Sequence, residues 1–443
     1  MTGPGALVPG GLGVREVGAL VAIGGFSRLT GAVALSGSAT LAGDVFLDAS
    51  VAPGTGGMAY RIGTLRIESA GGITGAGHLT LSGHGDGVVA AGVNTSSGGV
   101  TKDGAGRWTL AGAGSYLGTT AVAAGTLRVT NGAALGSTSA GTTVYGGATL
   151  ELLGGISLAE PLTLVGSGAS SQSGAVVNVG GANTLAGSIS MLGATLRSDS
   201  GTLTVTGTIT GAGNDLTLAG AAAGVVGSNI TAGALSKRGT GVWTLAGANT
   251  LSGGAEVSGG TLVLNYASNN GNKLNAAGVL TMRGGTLSIL GSSSAATTQS
   301  VGGLTLAEGG AVIQVANGTG QSATLNLGNI SRSSSSGATV NFVLPTTGAI
   351  TTTNSLSNGI LGGYATVGRQ NWATTSGSNI VALASYTPLA TATSTDNAVL
   401  SAPFALAADT TVNSLKITAT NANLALGANN LQLGSGGLEP IPK

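Results

Sequence analysis

One 28-residue stretch is written twice in this chain. Lys102–Val129 and Lys237–Leu264 match at 14 of 28 positions without a gap, 135 residues apart. Lys102, Gly104, Gly106, Trp108, Leu110 and Gly112 recur as Lys237, Gly239, Gly241, Trp243, Leu245 and Gly247, and the two copies hold two of the three tryptophans. A long internal repeat constrains a fold more than composition does, because a unit that recurs must bury its apolar face against its neighbours in a stack. Two shorter echoes follow the same logic. "ITGAGHLTLSG" at 73–83 returns as "ITGAGNDLTLAG" at 209–220, and "GATLELLG" at 147–154 returns as "GGTLSILG" at 284–291.

Between the repeats the chain reads as short alternating runs, such as "TLRIES" (64–69), "GTLRVT" (125–130), "GTLTVTGTIT" (201–210) and "SLKITAT" (414–420). Each holds four to ten residues of Thr, Val, Leu and Ile between Gly, Ser, Asn or Ala turns, which is the strand pattern, with Leu or Val on one face and Thr or Ser on the other. No sustained helical spacing interrupts them. Strands at constant density along 443 residues, with 83 glycines for tight corners, point to a β-solenoid in one elongated rod rather than to sandwiches or a barrel. At about 20–23 residues per coil, the 135-residue interval is close to six coils. Trp108 and Trp243 are then expected at equivalent places, with Leu110 and Leu245 on the same face two residues on.

Disorder is excluded by 42% hydrophobic residues at a net charge of +1. The 16 basic residues against 15 acidic ones argue against nucleic acid, which needs clustered cations. There is no cysteine, so disulfides and thiolate metal sites are absent, and no apolar run reaches the length of a membrane helix. No positive n-region precedes an apolar stretch at the N-terminus; the expectation is a processed chain or an internal piece of a longer one. Three segments are expected: 1–70 as N-terminal coils or cap, 71–336 as the repeat region, with cores at 102–129 and 237–264, and 337–443 as a C-terminal solenoid segment.

The pattern K-x-G-x-G-x-W-T-L-x-G-A, followed by Val122 and "GTL" in one copy and by Val257 and "GTL" in the other, resembles the autotransporter-associated β-strand repeat of bacterial surface passengers. The stretches 358–387 and 409–438 also resemble segments that follow such repeats. The resemblance implies a right-handed parallel β-helix, exported to the cell surface. The ending "GSGGLEPIPK" carries no amphipathic strand series of the membrane barrel of a full autotransporter, so a fragment or a separately exported passenger is expected.

Chemistry is sparse. Nine of the 31 charged residues fall within 44–107, with both histidines, His78 and His84. Asp44, Arg66, Asp86 and Arg107 are spaced near one coil apart, so they could stack as a charge ladder, and β-helix enzymes that cut polysaccharides do place carboxylates on one outer face. The plainer reading is a solvated outer surface. "GAGNDLTLAG" at 211–220 is similar to one calcium-binding nonapeptide but has no tandem partner to complete coordination, so a turn is the better reading. No nucleophile, metal-protease or phosphate-loop motif occurs, and no metal or cofactor is implied. Trp372 and Tyr386 read as packing residues. The expected function is a non-enzymatic extracellular rod, adhesive or structural, whose partners are other copies of itself, end to end or laterally, or cell-surface glycans. The competing class is a polysaccharide-active β-helix enzyme using 44–107.

Overall fold

The structure, a computed structural model, describes residues 20–23, 25–48, 59–333, 336–418 and 422–440. Among these every regular element is a β-strand apart from one 3-10 turn, Leu389–Thr391. The strands stack in parallel register as successive coils, so the fold is an all-β solenoid. The contacts divide it into two compact units, Met1–Trp243 and Thr244–Lys443.

In the first unit each regular coil contributes three short strands. Ile209–Thr210, Leu216–Ala219 and Ala223–Val226 make one coil, and Ile230–Ala232, Leu235–Lys237 and Val242–Leu245 begin the next. The inward residues form ladders. On one face Leu79, Val100, Thr120, Thr142, Leu162, Ile189, Ile209 and Ile230 pair in sequence. On the second, Leu65, Gly87, Trp108, Leu127, Leu150, Val176, Leu196, Leu218 and Lys237 do so. On the third, Leu158, Leu185, Val205 and Val226 stack likewise. Most of these side chains are completely buried, and removing apolar area from water at about 25 cal/mol per Å² drives the stacking. Many of the outward positions that alternate with them carry Thr, Ser or charge, and a few, such as Tyr145, Leu192 and Val242, carry exposed hydrophobics.

Successive steps on the second face range from 19 residues (Trp108 to Leu127) to 26 (Leu150 to Val176), a wider spread than the sequence suggested. The register also corrects the expected equivalence of the two copies. The ladder that holds Trp108 arrives, six coils later, at Lys237 rather than at Trp243. The 135-residue interval is therefore six coils plus one face. Within the first unit, the opening of the second copy, from Lys237 to Trp243, is thus written on the next side of the coil.

The second unit repeats the construction. Leu262, Leu287, Ile313, Phe342 and Val367 pair coil by coil, as do Leu280, Leu304 and Ile330. Parallel stacking is then interrupted by antiparallel pairing of Asn371–Ser376 with Asn379–Ala382. A last parallel set, Asn397–Leu400, Thr410–Ile417 and Leu431–Pro440, follows. It closes over a small core of Leu389, Ala398, Leu400, Val412 and Leu415.

Candidate functional site

The residues that define the repeat face inward. In strand Val100–Lys102 the burial alternates, and Lys102 takes an inward place between Leu81 and Val122 where an aliphatic residue would be expected. Its side chain is fully buried. The stem packs among the ladders and the ammonium donates to the carbonyls of Gly104 and, at 3.2 Å, Ala124. Burial pushes its pKa down to about 8 against the opposing pull of Asp103 and Asp86. A buried cation is tolerated only where its donors are satisfied, and here corner carbonyls satisfy it.

Trp108 follows on the next face, also fully buried, with its indole Nε1 donating to the Ser82 carbonyl at 2.9 Å. The ring lies on Gly87, one coil earlier; a Cβ there would fall 2.4 Å from ring carbons. Leu110 and Leu245 are buried as well. The glycines mark where coils touch. A Cβ on Gly104, Gly106 or Gly241 would sit 2.1, 2.0 or 2.1 Å from a carbonyl oxygen of the preceding coil, and one on Gly112 would sit 2.3 Å from the Ala91 carbonyl carbon. Gly239 adds a positive φ of 74°; Gly247 is buried.

The second copy rebuilds this environment on its own face. Lys237 is buried and donates to the carbonyls of Arg238 (3.0 Å) and Gly239 (2.9 Å). Trp243 donates to the Ala219 carbonyl at 3.0 Å and lies on Gly224. A third buried lysine, Lys273, was not visible as such in the sequence because no K-x-G-x-G pattern surrounds it. It donates to the carbonyls of Asn269 (2.8 Å) and Gly271 (3.2 Å) and lies 4.7 Å from the ring centre of Tyr266. Burial lowers Lys237 and Lys273 to about 8 as well. Glu160 is a further buried ionisable group that sequence reading missed. It accepts from Thr142 Oγ1 at 3.3 Å, and burial raises its pKa to about 7.

The charged residues of 44–107 are distributed as follows. Asp86 and Arg107 meet: Asp86 accepts the Arg107 backbone N–H at 2.9 Å and its Nη2 at 3.1 Å, both side chains being well exposed. Arg66 lies outside their column, because it registers with Val88 and with Arg28 on its other side. There it shares Glu68 with Arg28. The Asp44 backbone registers with Ile23, but its side chain lies outside the described residues. Of the three whose side chains are described, Asp86 and Arg107 are joined and Arg66 stands in another column. Asp215 links successive coils, its Oδ1 accepting Ala234 N–H from the next coil at 2.8 Å. Trp372 is buried, and its backbone N–H donates to the Tyr386 hydroxyl at 3.1 Å. Among the described residues no group of three or more His, Asp or Glu is placed to hold a metal, and no helix is long and apolar enough to cross a membrane.

Residues 100–129 and 235–264 match the passenger-associated-transport-repeat family. A stretch of 129 residues is 35% identical to the adhesin BmaC autotransporter of Brucella suis biovar 1 (strain 1330), covering 28% of this chain and 4% of that protein. The chain thus spans a small part of the length of this relative. No solved structure matches significantly. The two repeat matches fall on the stretches whose lysine, tryptophan and glycines build the coil corners, and together with the adhesin match they support an autotransporter passenger-like repeat protein.

Proposed function

We propose that this chain is a non-enzymatic adhesive or structural element of a bacterial cell surface, which presents its outer faces to cell-surface glycans or to other copies of itself. The observation that carries the reading is where the repeat spends its chemistry. Lys102, Trp108, Lys237 and Trp243 are all buried and hydrogen-bonded to backbone carbonyls, so the repeated residues serve the scaffold. What varies between coils lies outside, in an outer surface of hydroxyls, small residues and scattered charge. The adhesin relationship and the repeat's occurrence in transported passengers support a surface or secreted location. A near-neutral chain also has little charge repulsion to keep copies apart, which supports self-association.

Retention of the purified chain on immobilised glycans and on whole cells, measured beside sedimentation across a range of concentrations, tests the reading. Retention or concentration-dependent assembly without change to the glycan is expected. Release of sugar, abolished by Asp86→Ala, would replace the reading with polysaccharide cleavage.

A further inference from the structure

An insertion interrupts the regular outer surface of the first unit beside the coil that carries Leu150. Among the steps of the ladder from Leu65 to Lys237, that from Leu150 to Val176 is the longest. The surplus leaves the stack between strands Leu162–Gly166 and Val176–Gly180 as a loop over 167–174. Insertions of this kind in solenoids gather on a face and often carry its binding function. The loop is held in place. Buried Thr149 accepts Ala169 N–H at 2.9 Å and donates to the Gly174 carbonyl at 2.8 Å, and Gln172 and Ser173 both donate N–H to the Ala169 carbonyl at 2.9 Å. Ser173 is held at a φ of 53°, a conformation that non-glycine residues adopt at a cost and that recurs at ligand sites.

Beside the loop lies a groove of about 490 Å³. Ser167 and Ser173 line it from the loop, and Thr195, Thr217 and Thr240 from the coils. Its only charged lining residues are Arg197 and Arg238. Asp199 accepts Arg197 Nε at 2.7 and 2.8 Å through its two oxygens, which orients the guanidinium and leaves its Nη donors free. Arg238 is exposed and has no acidic partner among the described residues. Arg197 registers with Ala219, and Arg238 follows Lys237, which registers with Leu218. The two cations therefore stand on one column two coils apart, roughly 9.5 Å at the spacing of hydrogen-bonded strands.

We propose that this groove binds an acidic glycan, lying along the stack. The proposal rests on the adhesive reading above and names its ligand class. The lining has hydroxyls to exchange hydrogen bonds with sugar hydroxyls, two guanidiniums for carboxylate or sulfate groups, and only small apolar side chains, which disfavours an apolar ligand. A pyranose in an extended chain is about as long as one coil is high. Negative groups on alternate sugars would thus meet Arg197 and Arg238 in turn.

The test is binding of the purified full chain to immobilised polygalacturonate, heparin and dextran. Variants Arg197→Gln and Arg238→Ala are compared with Arg107→Ala, an outer-face arginine outside the groove, and circular dichroism confirms that each folds. Binding to polygalacturonate, heparin or both, weakened by salt, is expected. It should fall about tenfold in each groove variant, as loss of one charge-assisted contact entails, and remain unchanged in Arg107→Ala. Preference between the two acidic polymers tells carboxylate from sulfate. Equal binding by the wild type and the groove variants, or an equal fall in Arg107→Ala, overturns the proposal. Binding to dextran or to cells but to neither acidic polymer overturns it while leaving adhesion standing; binding to no glycan or cell overturns both.

Discussion

The indole of Trp108 rests on the α-carbon of Gly87, one coil earlier, so closely that a methyl group on Gly87 would fall 2.4 Å from the ring; Trp243 and Gly224 stand in the same relation. The pair explains why the repeat needs both a tryptophan and a glycine that lies outside its own boundaries. Gly87→Ala should force the ring out of its place and destabilise the first unit by roughly 1–3 kcal/mol, as overpacking does. Trp108→Ala should cost roughly 3–5 kcal/mol by emptying the site. Chemical denaturation followed by far-ultraviolet circular dichroism measures both. An unchanged midpoint in Gly87→Ala would contradict the packing described.

Three buried lysines give the chain an alkaline signature. Lys102, Lys237 and Lys273 have pKa values near 8 in the folded chain, lowered by burial, against about 10.4 in the unfolded chain. Below pH 8 both states hold the protons, and the cost of burying three charges is fully present. Between about pH 8 and 10 the unfolded chain retains protons that the folded chain has released, so stability rises with pH. Tyr116 and Tyr266, held protonated by burial, reverse the trend above about pH 10. The midpoint of unfolding should climb between pH 8 and 10, and the climb should flatten when the three lysines are replaced by methionine.

Glu160 acts with the opposite sense. Burial raises its folded pKa to about 7 from the ordinary 4.5, so below about pH 4.5 the carboxyl is protonated in both states. From there to about pH 7 the folded chain holds the proton more tightly, and stability falls as pH rises. Glu160→Gln should leave stability near its wild-type value at pH 4.5 and raise it by roughly 1–3 kcal/mol at pH 8. Equal effects at the two pH values would contradict the assignment.

Two arginine–carboxylate pairs on the outer face should differ in worth. Arg107 and Asp86 are both well exposed, whereas Arg128 bonds to Glu151, which is only 1% exposed, at 2.7 Å. Arg107→Met should cost less than about 1 kcal/mol. Arg128→Met strands a buried carboxylate and should cost roughly 3 kcal/mol or more. Denaturation midpoints compare the two directly.

The architecture was legible because alternation and repetition are written in the same residues. Inward Leu and Val alternate with Thr in runs such as 202–205 and 216–218, and the copies at 102–129 and 237–264 announce stacking. The rotation of the second copy by one face was not legible. It depends on summing coil lengths, and those vary with insertions such as 167–174 whose boundaries no motif marks. Lys102 was visible as a repeated residue, but nothing in a lone lysine tells that it enters the core to reach the carbonyls of Gly104 and Ala124. The column of Arg66 was hidden for a related reason. Spacing near one coil length does not fix register, and a shift of two residues takes Arg66 from the Asp86 column to that of Val88. The groove at Arg197 and Arg238 joins residues 41 positions apart and has no signature of its own.

On the function proposed above, the outer faces hold ligands without transforming them. The most direct test incubates the purified chain with soluble polygalacturonate and heparin and follows, in the same samples, the bound fraction together with reducing ends and unsaturated sugars over time. A stable bound fraction with no products above the protein-free control is expected. Products that accumulate with time and vanish in Asp86→Ala would contradict it.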